Sequence, residues 1–187
     1  MIQTEKARIP VEKAAVDERL LADIALGDRE AFRALYKQAA GAVYGYALSL
    51  LRSREDAEDA MQETFVKIRS AAHLYTPAGK PMAWILTITR NVCMSHFRES
   101  ARQTALEETG AELREGTDAV GSREDRIVLE TAMTALTEQE RQIVMLHALS
   151  GLKHREIGQL LGLPVSTVLS KYSRSMAKLR RQLEEIQ

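Results

Sequence analysis

The chain has 187 residues and is neutral overall, with 26 basic and 26 acidic side chains, a size that suits one large domain or two small ones. A single cysteine excludes an internal disulfide and suits a reducing compartment. The opening MIQTEKARIP lacks the apolar core of a signal peptide and no stretch approaches the length of a membrane span, so a soluble, cytoplasmic protein is expected.

Four prolines and ten glycines leave long helical stretches, and no run alternates like a half-buried strand, so the expected fold class is all-α. Residues 1–16 read as a loose extension. A helix from Asp17 to Leu26 stops at Gly27, and Asp28 is placed to cap the next. Phe32, Leu35, Tyr36, Val43, Tyr44, Ala47, Leu50 and Leu51 form that helix's buried stripe, with Gly41 and Gly45 allowing close packing. Ser53 and Asp56 make an S-x-x-D cap for a third helix through roughly His73, with Ala57, Met61, Phe65 and Ile68 inside. Asp56, Glu58, Asp59, Gln62 and Glu63 crowd its first half. That crowding reads either as acids favoured near a positive helix terminus or as a docking surface for a basic partner.

Residues 76–81 form a loop before a helix that carries the only tryptophan. Trp84, Ile85, Ile88, Val92 and Phe97 supply its apolar side, and Arg90, Asn91, His96, Arg98 and Arg102 punctuate it with donors. Trp84 reads either as core or as a platform for unpaired bases. Residues 103–124 are acidic, glycine-interrupted and poor in large apolar side chains, which marks a flexible linker and a boundary between domains at 17–102 and 125–187. Free in solution such a linker spans roughly 25 Å, and fully stretched about 73 Å.

A helix from about Asp125 carries Ile127, Val128, Met133 and Leu136. Thr137 and Glu140 then form a T-x-x-E capping box for a helix with Ile143, Val144 and Leu149 inside. From Gly151 to Arg181 the pattern is two helices joined by a tight turn. Ile157, Leu160 and Leu161 precede the C-capping Gly162, and Pro164 opens a helix whose buried stripe is Val168, Tyr172, Met176 and Leu179. Gly158 lets the two helices cross closely. Seven cations against the single acid Glu156 give this stretch a local charge of +6, the footprint of a helix-turn-helix on DNA.

Three segments in order, DAEDAMQETFVKI (Asp56 to Ile68), AWILTITRNVCMSHFRE (Ala83 to Glu99) and LTEQERQIVMLHALSGLKHREIGQLLGLPVSTVLSKYSRSMAKLRRQL (Leu136 to Leu183), resemble the extracytoplasmic-function family of bacterial RNA polymerase sigma factors. The resemblance runs from about Asp17 to Leu183 and implies two small helical domains: a four-helix region-2-like domain and a region-4-like helix-turn-helix domain. It implies that Asp56, Asp59, Gln62 and Glu63 grip the clamp helices of the polymerase's largest subunit, and that the polymerase flap is a further partner. It assigns Thr76, Gly79, Lys80, Trp84, Arg90 and Asn91 to the minus-ten promoter box. The loop from Thr76 to Lys80 captures a flipped base, and Trp84 either borders the strand or packs beneath it. It assigns Ser166, Thr167, Leu169, Ser170, Lys171 and Arg174 to the minus-thirty-five box, with Lys178 on a phosphate. An anti-sigma partner is implied; direct membrane insertion is not.

Two positions depart from the family's pattern, which commonly has a basic residue at Thr87 and at Leu169. Leu169 can offer a thymine methyl an apolar contact but no donor to guanine or phosphate. The rival reading is a stand-alone helix-turn-helix regulator, which leaves the acidic helix and the Trp84 helix without roles. Cys93 and His96, three apart on a helix, could share a metal, yet no further cysteine supports them, so neither metal nor cofactor is expected. No HExxH, phosphate-binding glycine loop or nucleophile elbow occurs, so no catalytic residue is assigned.

Overall fold

The computed structural model describes residues 16–104 and 133–186, and the residues described are helical apart from turns and short connections. The expected linker from Ala105 onward and the expected helix at Asp125 lie outside them. In chain order the helices are α1 (Arg19–Ala25), α2 (Arg29–Leu51), α3 (Arg54–Ala71) with a 3-10 turn at Ala72–Leu74, α4 (Pro81–Thr104), α5 (Glu138–Ser150), α6 (His154–Leu161) and α7 (Val165–Ile186). The boundaries follow local chemistry. Asp28 accepts from the backbone N–H groups of Glu30 and Ala31 at 2.7 and 3.2 Å, and Ser53 from that of Asp56 at 3.3 Å. At Thr137 both halves of the capping box form: Glu140 N–H reaches the threonine hydroxyl, and the Glu140 carboxylate accepts from Thr137 N–H at 3.0 Å.

The core is built around α2, which packs on α1, α3, α4 and α5. Its buried residues are Ala31, Leu35, Ala39, Ala42, Val43, Tyr46, Ala47, Ser49 and Leu50. The stripe therefore differs from the expected one: Tyr36 is exposed, Tyr46 is buried, and the small residues matter more than the large. A helix covered by several neighbours cannot be read from a single-face periodicity. The same cause leaves Met61 half-buried on α3, where Ala60 and Thr64 are buried instead, and Phe97 exposed on α4.

Although the sequence divides into two domains, one continuous cluster joins them, with Ile143, Leu146, Leu152, Ile157 and Val168 packed into the same core as Leu35 and Val43. Helix α5 has an apolar face left over after it packs on α7, and α2 covers it. At the crossing Leu149 fills the space beside Gly45, where a Cβ would lie 2.6 Å from Leu149 Cδ1.

The helix-turn-helix forms as its sequence predicts. Gly162 has φ of 68°, in the left-handed region that favours glycine, and Leu163 N–H bonds to the Gly158 carbonyl at 2.9 Å, so α6 ends in a Schellman turn. Pro164 serves one position earlier than expected, as the residue before α7, with Val168 N–H on its carbonyl at 3.1 Å. On α7 the buried positions are Val168, Ser175 and Leu179, while Met176 is 38% exposed and not part of the buried stripe. Ser175 takes the inward place because its hydroxyl can bond back to the Lys171 carbonyl at 2.8 Å. Behind the turn, His147 and His154 stack at 4.9 Å and Tyr172 meets both edge-on, each at 4.9 Å. His147 Nδ1 lies 2.9 Å from the Leu152 carbonyl, whereas His154 Nε2 is buried without a protein partner. Burial, and then the neighbouring His147, lower the pKa of His154 below its usual 6.5.

Two predictions follow from this packing. Gly41 has nothing within 4 Å of where a Cβ would sit, so Gly41→Ala should stabilise the fold by about 1 kcal/mol through helix propensity. A Cβ on Gly158 would lie 2.8 Å from the Leu163 carbonyl oxygen, so Gly158→Ala should cost about 1–2 kcal/mol despite the same propensity gain. Chemical denaturation of the two variants checks the opposite signs. The second concerns pH. Because the folded state resists protonating His154, the unfolded chain binds more protons as pH falls through 6.5, and stability drops there. Glu140, whose folded pKa lies below 4.5, contributes its loss only at still lower pH. Melting temperatures across pH 7.5 to 5 should therefore fall for the parent chain, and less steeply for His154→Gln.

Candidate nucleic-acid and partner interface

The acidic face of α3 is built by helical spacing. Asp56, Asp59 and Glu63 recur at three and four residues, with Gln62 beside them, and Asp56, Asp59 and Gln62 are exposed. Glu63 differs from the other three. It pairs with Lys67 at 2.7 Å and with His96 Nε2 of α4 at 3.1 Å, and the Lys67 hydrogen bond first, then that of His96, holds its carboxyl below the usual range. Glu63 thus ties α3 to α4. Val66, four residues after Gln62 and 68% exposed, joins the same surface. Sequence reading passed over it; its signal was an apolar residue lying off the buried stripe of Ala57, Phe65 and Ile68.

The second surface is the loop before α4 with the first turns of that helix. Trp84, Thr87 and Asn91 share one face at spacings of three and four; Thr87 and Asn91 are exposed and Trp84 is half-buried. Tyr75 packs edge-on against Trp84 at 5.3 Å. Thr76, Gly79 and Lys80 are exposed in the loop. Arg90 is not brought to this face: its Nε is buried without a protein partner, and its charge acts on the buried hydroxyl of Tyr46 in α2. Burial pushes the Tyr46 phenol well above its usual pKa. Glu18 was missed altogether. It accepts from Ala78 and Gly79 N–H at 2.8 Å each and from the Tyr75 hydroxyl, across some sixty residues of sequence that leave no local signal.

The third surface is α7. Ser166, Ser170 and Arg174 repeat every four residues along its exposed side, with Thr167 and Lys171 half-buried beside them. Arg174 Nε donates to the Ser170 carbonyl at 3.2 Å, which sets the start of its side chain along the helix. Lys178 is held elsewhere, its Nζ lying 2.8 and 3.1 Å from the two carboxylate oxygens of the buried Glu140. Leu169 is 49% exposed and falls in line with exposed Val165, Met176 and Leu183, at spacings of four and seven, so α7 carries an open apolar stripe next to its polar one.

The second and third surfaces meet through α6. Lys80 and Glu156 form an ion pair at 3.8 Å, and Glu156 also accepts from Lys153 N–H at 2.9 Å at the start of α6. A cavity of about 430 Å³ separates Tyr75, Trp84 and Thr87 from Gln159 and Leu160. Cys93 and His96 do not converge: Cys93 is buried, with its thiol pushed up to about 12 by burial, and His96 turns to Glu63. Among the described residues no group of three or more His, Cys, Asp or Glu side chains is placed to hold a metal, and no helix is long and apolar enough to cross a membrane.

Comparison with known proteins gives these surfaces a family. The model for sigma-70 region 2 matches residues 35–103, and that for sigma-70 region 4 matches residues 126–179, together more than half of the chain. The chain is 29% identical over 173 residues to the ECF RNA polymerase sigma factor SigK of Mycobacterium ulcerans (strain Agy99), covering 88% of this chain and 92% of that one. It is 29% identical over 167 residues to the ECF RNA polymerase sigma factor BldN of Streptomyces coelicolor, covering 85% of this chain and 62% of that one. Among solved structures it is similar to CnrH in complex with the cytosolic domain of CnrY, with a TM-score of 0.66, 25% identity and coverage of 91% and 98%. It shares the fold of the sigma factor RpoE of Bartonella quintana, solved with the anti-sigma factor NepR, with a TM-score of 0.72, 23% identity and coverage of 82% and 96%. With sigma-70 regions 2 and 4 matched in order over an all-helical fold, the chain belongs to the sigma-70 family, among its extracytoplasmic-function RNA polymerase sigma factors.

Proposed function

We propose that the chain binds RNA polymerase core in the cytoplasm and directs it to promoters carrying two short boxes, under the control of an anti-sigma partner. The observation that carries this reading is the presence, in one family member, of two separate exposed nucleic-acid-type faces and an acidic face. A stand-alone regulator has no use for the acidic face of α3 or the Trp84 face of α4. Asp56, Asp59 and Gln62 engage basic side chains of the polymerase clamp, and Glu63 supports them by fixing α3 on α4. Thr76, Gly79, Lys80, Trp84 and Asn91 take the minus-ten strand: an aromatic edge and an exposed amide stack and read unpaired bases. Arg90 supports that face from beneath. Ser166, Thr167, Leu169, Ser170, Lys171 and Arg174 enter the major groove at the minus-thirty-five box, Leu169 offering an apolar contact suited to a thymine methyl. The polymerase performs nucleotidyl transfer, and this chain supplies positioning alone.

The closed packing of the two halves bears on how this works. Two boxes about two helical turns apart lie roughly 70 Å from each other, while Lys80, in the loop before α4, is in ion-pair contact with Glu156 of α6. One compact chain cannot serve both boxes in that arrangement, so engagement with polymerase separates the halves. The apolar stripe of Val165, Leu169, Met176 and Leu183 is the surface that suits an amphipathic segment of the anti-sigma partner.

Run-off transcription with core polymerase on a genomic promoter library tests the reading. Transcripts that require this chain are expected, together with its co-purification with core; tight, specific duplex binding by the free protein without core would favour the stand-alone regulator. A finer test separates two lysines. Lys171→Ala should lower the salt dependence of promoter binding by about one phosphate's worth, a slope change near 0.9. Lys178→Ala should leave the slope unchanged and instead lower stability by about 1 kcal/mol, because it leaves the buried Glu140 without its cation.

A further inference from the structure

The loop between the 3-10 turn and α4 is gathered onto one atom. Ala78 N–H and Gly79 N–H donate to Glu18 Oε1, each at 2.8 Å, and the Tyr75 hydroxyl donates to the same oxygen. Gly79 has φ of 67°, and this left-handed step lets two successive N–H groups point the same way and form a small anion-binding concavity. The hydrogen bond from Tyr75 first, then that from Gly79, keeps the Glu18 carboxyl below its usual pKa, so it stays charged at neutral pH. The arrangement continues outward: Tyr75, fixed by its hydroxyl, lies edge-on to Trp84. One carboxylate at the start of α1 therefore sets the shape of the loop and the position of the aromatic beside the tryptophan.

Docking of α1 does not account for this contact. Leu21 and Ile24 already bury α1 in the core at 0% and 4% exposure, and Asp17 N–H bonds to Gln38 of α2 at 3.1 Å. The charged group at Glu18 is spent on the loop and not on its own helix.

We propose that Glu18 is a positioning residue for the minus-ten interaction, holding the loop from Thr76 to Lys80 and the Tyr75–Trp84 pair in the shape that captures an unstacked base. It acts through the loop, with no contact to DNA of its own, and the proposal rests on the promoter-binding function given above. Glu18→Ala frees two backbone donors and the tyrosine hydroxyl, and the loop samples other shapes. Glu18→Gln keeps an acceptor oxygen but not the charge, so its effect is intermediate.

The test uses holoenzyme assembled from core polymerase with parent, Glu18→Ala or Glu18→Gln chain. Each binds a fluorescent single-stranded oligonucleotide carrying the minus-ten box, and a matching set with one abasic site at each position. Glu18→Ala is expected to weaken binding of the intact oligonucleotide about tenfold, as for loss of one charge-assisted contact. Glu18→Gln should weaken it less, with core assembly unchanged for both. At the captured position, the abasic site that weakens the parent should weaken Glu18→Ala no further, which is the coupling of a shared contact. A purely structural role would instead lower binding of every oligonucleotide by one factor, and that result overturns the proposal, as does equal binding by parent and variants. If Glu18→Ala fails to fold, the same comparison made with Glu18→Gln decides. A parent holoenzyme that shows no position-sensitive loss contradicts the promoter reading itself and removes the basis of this assignment with it.

Discussion

Burial of α2 is the constraint on which the rest of this structure depends. It is covered by helices of the N-terminal half and by α5 of the C-terminal half, and its small residues, Ala39, Ala42, Gly45 and Ala47, set how closely those neighbours approach. None of the residues assigned to DNA or polymerase lies on it. The division is physical. A helix buried on several sides is rigid and inaccessible, so it serves as the frame, and α3, α4 and α7 are left with one free face each. The acidic face of α3 and the exposed Thr87–Asn91 face of α4 keep their relative orientation because both helices pack on α2 and are tied to each other by Glu63 and His96.

The same frame explains why the two halves meet. The face of α5 turned away from α7 carries Ile143, Leu146 and Leu149, and water is a poor cover for it. Gly45 admits Leu149, and α6 is brought over the loop before α4, where Lys80 finds Glu156. That last contact is a part-exposed ion pair, worth little by itself. The closed form thus rests on the apolar seam between α2 and α5, and its polar edge offers little resistance to opening. For a chain proposed to span two distant promoter boxes, an interface with this balance, stable alone but replaceable by a larger one, suits that step.

Much of the fold was legible because its signals are local. Asp28, Ser53, Thr137 and Gly162 act within three or four residues of themselves, and each does in the structure what its position announced. The helix-turn-helix was legible for the same reason. What failed was burial on helices with more than one neighbour: Tyr46 inside, Tyr36 and Met176 outside. The site residues divide in the same way. Asp56, Asp59, Asn91 and Ser170 are exposed where helical periodicity puts them, but Arg90 buries its Nε without a protein partner and Lys178 is drawn to Glu140, 38 residues away. Glu18 was out of reach altogether, since an acid near a helix start is ordinary and its partners lie some sixty residues along the chain.

We infer that a chain closed over α2 opens to work as a promoter grip. The most direct measurement is the distance between spin labels on exposed positions of the two halves, Lys37 on α2 and Arg155 on α6, each replaced by cysteine. Cys93 is buried with its thiol pushed up to about 12, so it stays unlabelled. A single distance is expected in the free protein and a much longer one once core polymerase and promoter are added. An unchanged distance in the transcribing complex would contradict such an opening.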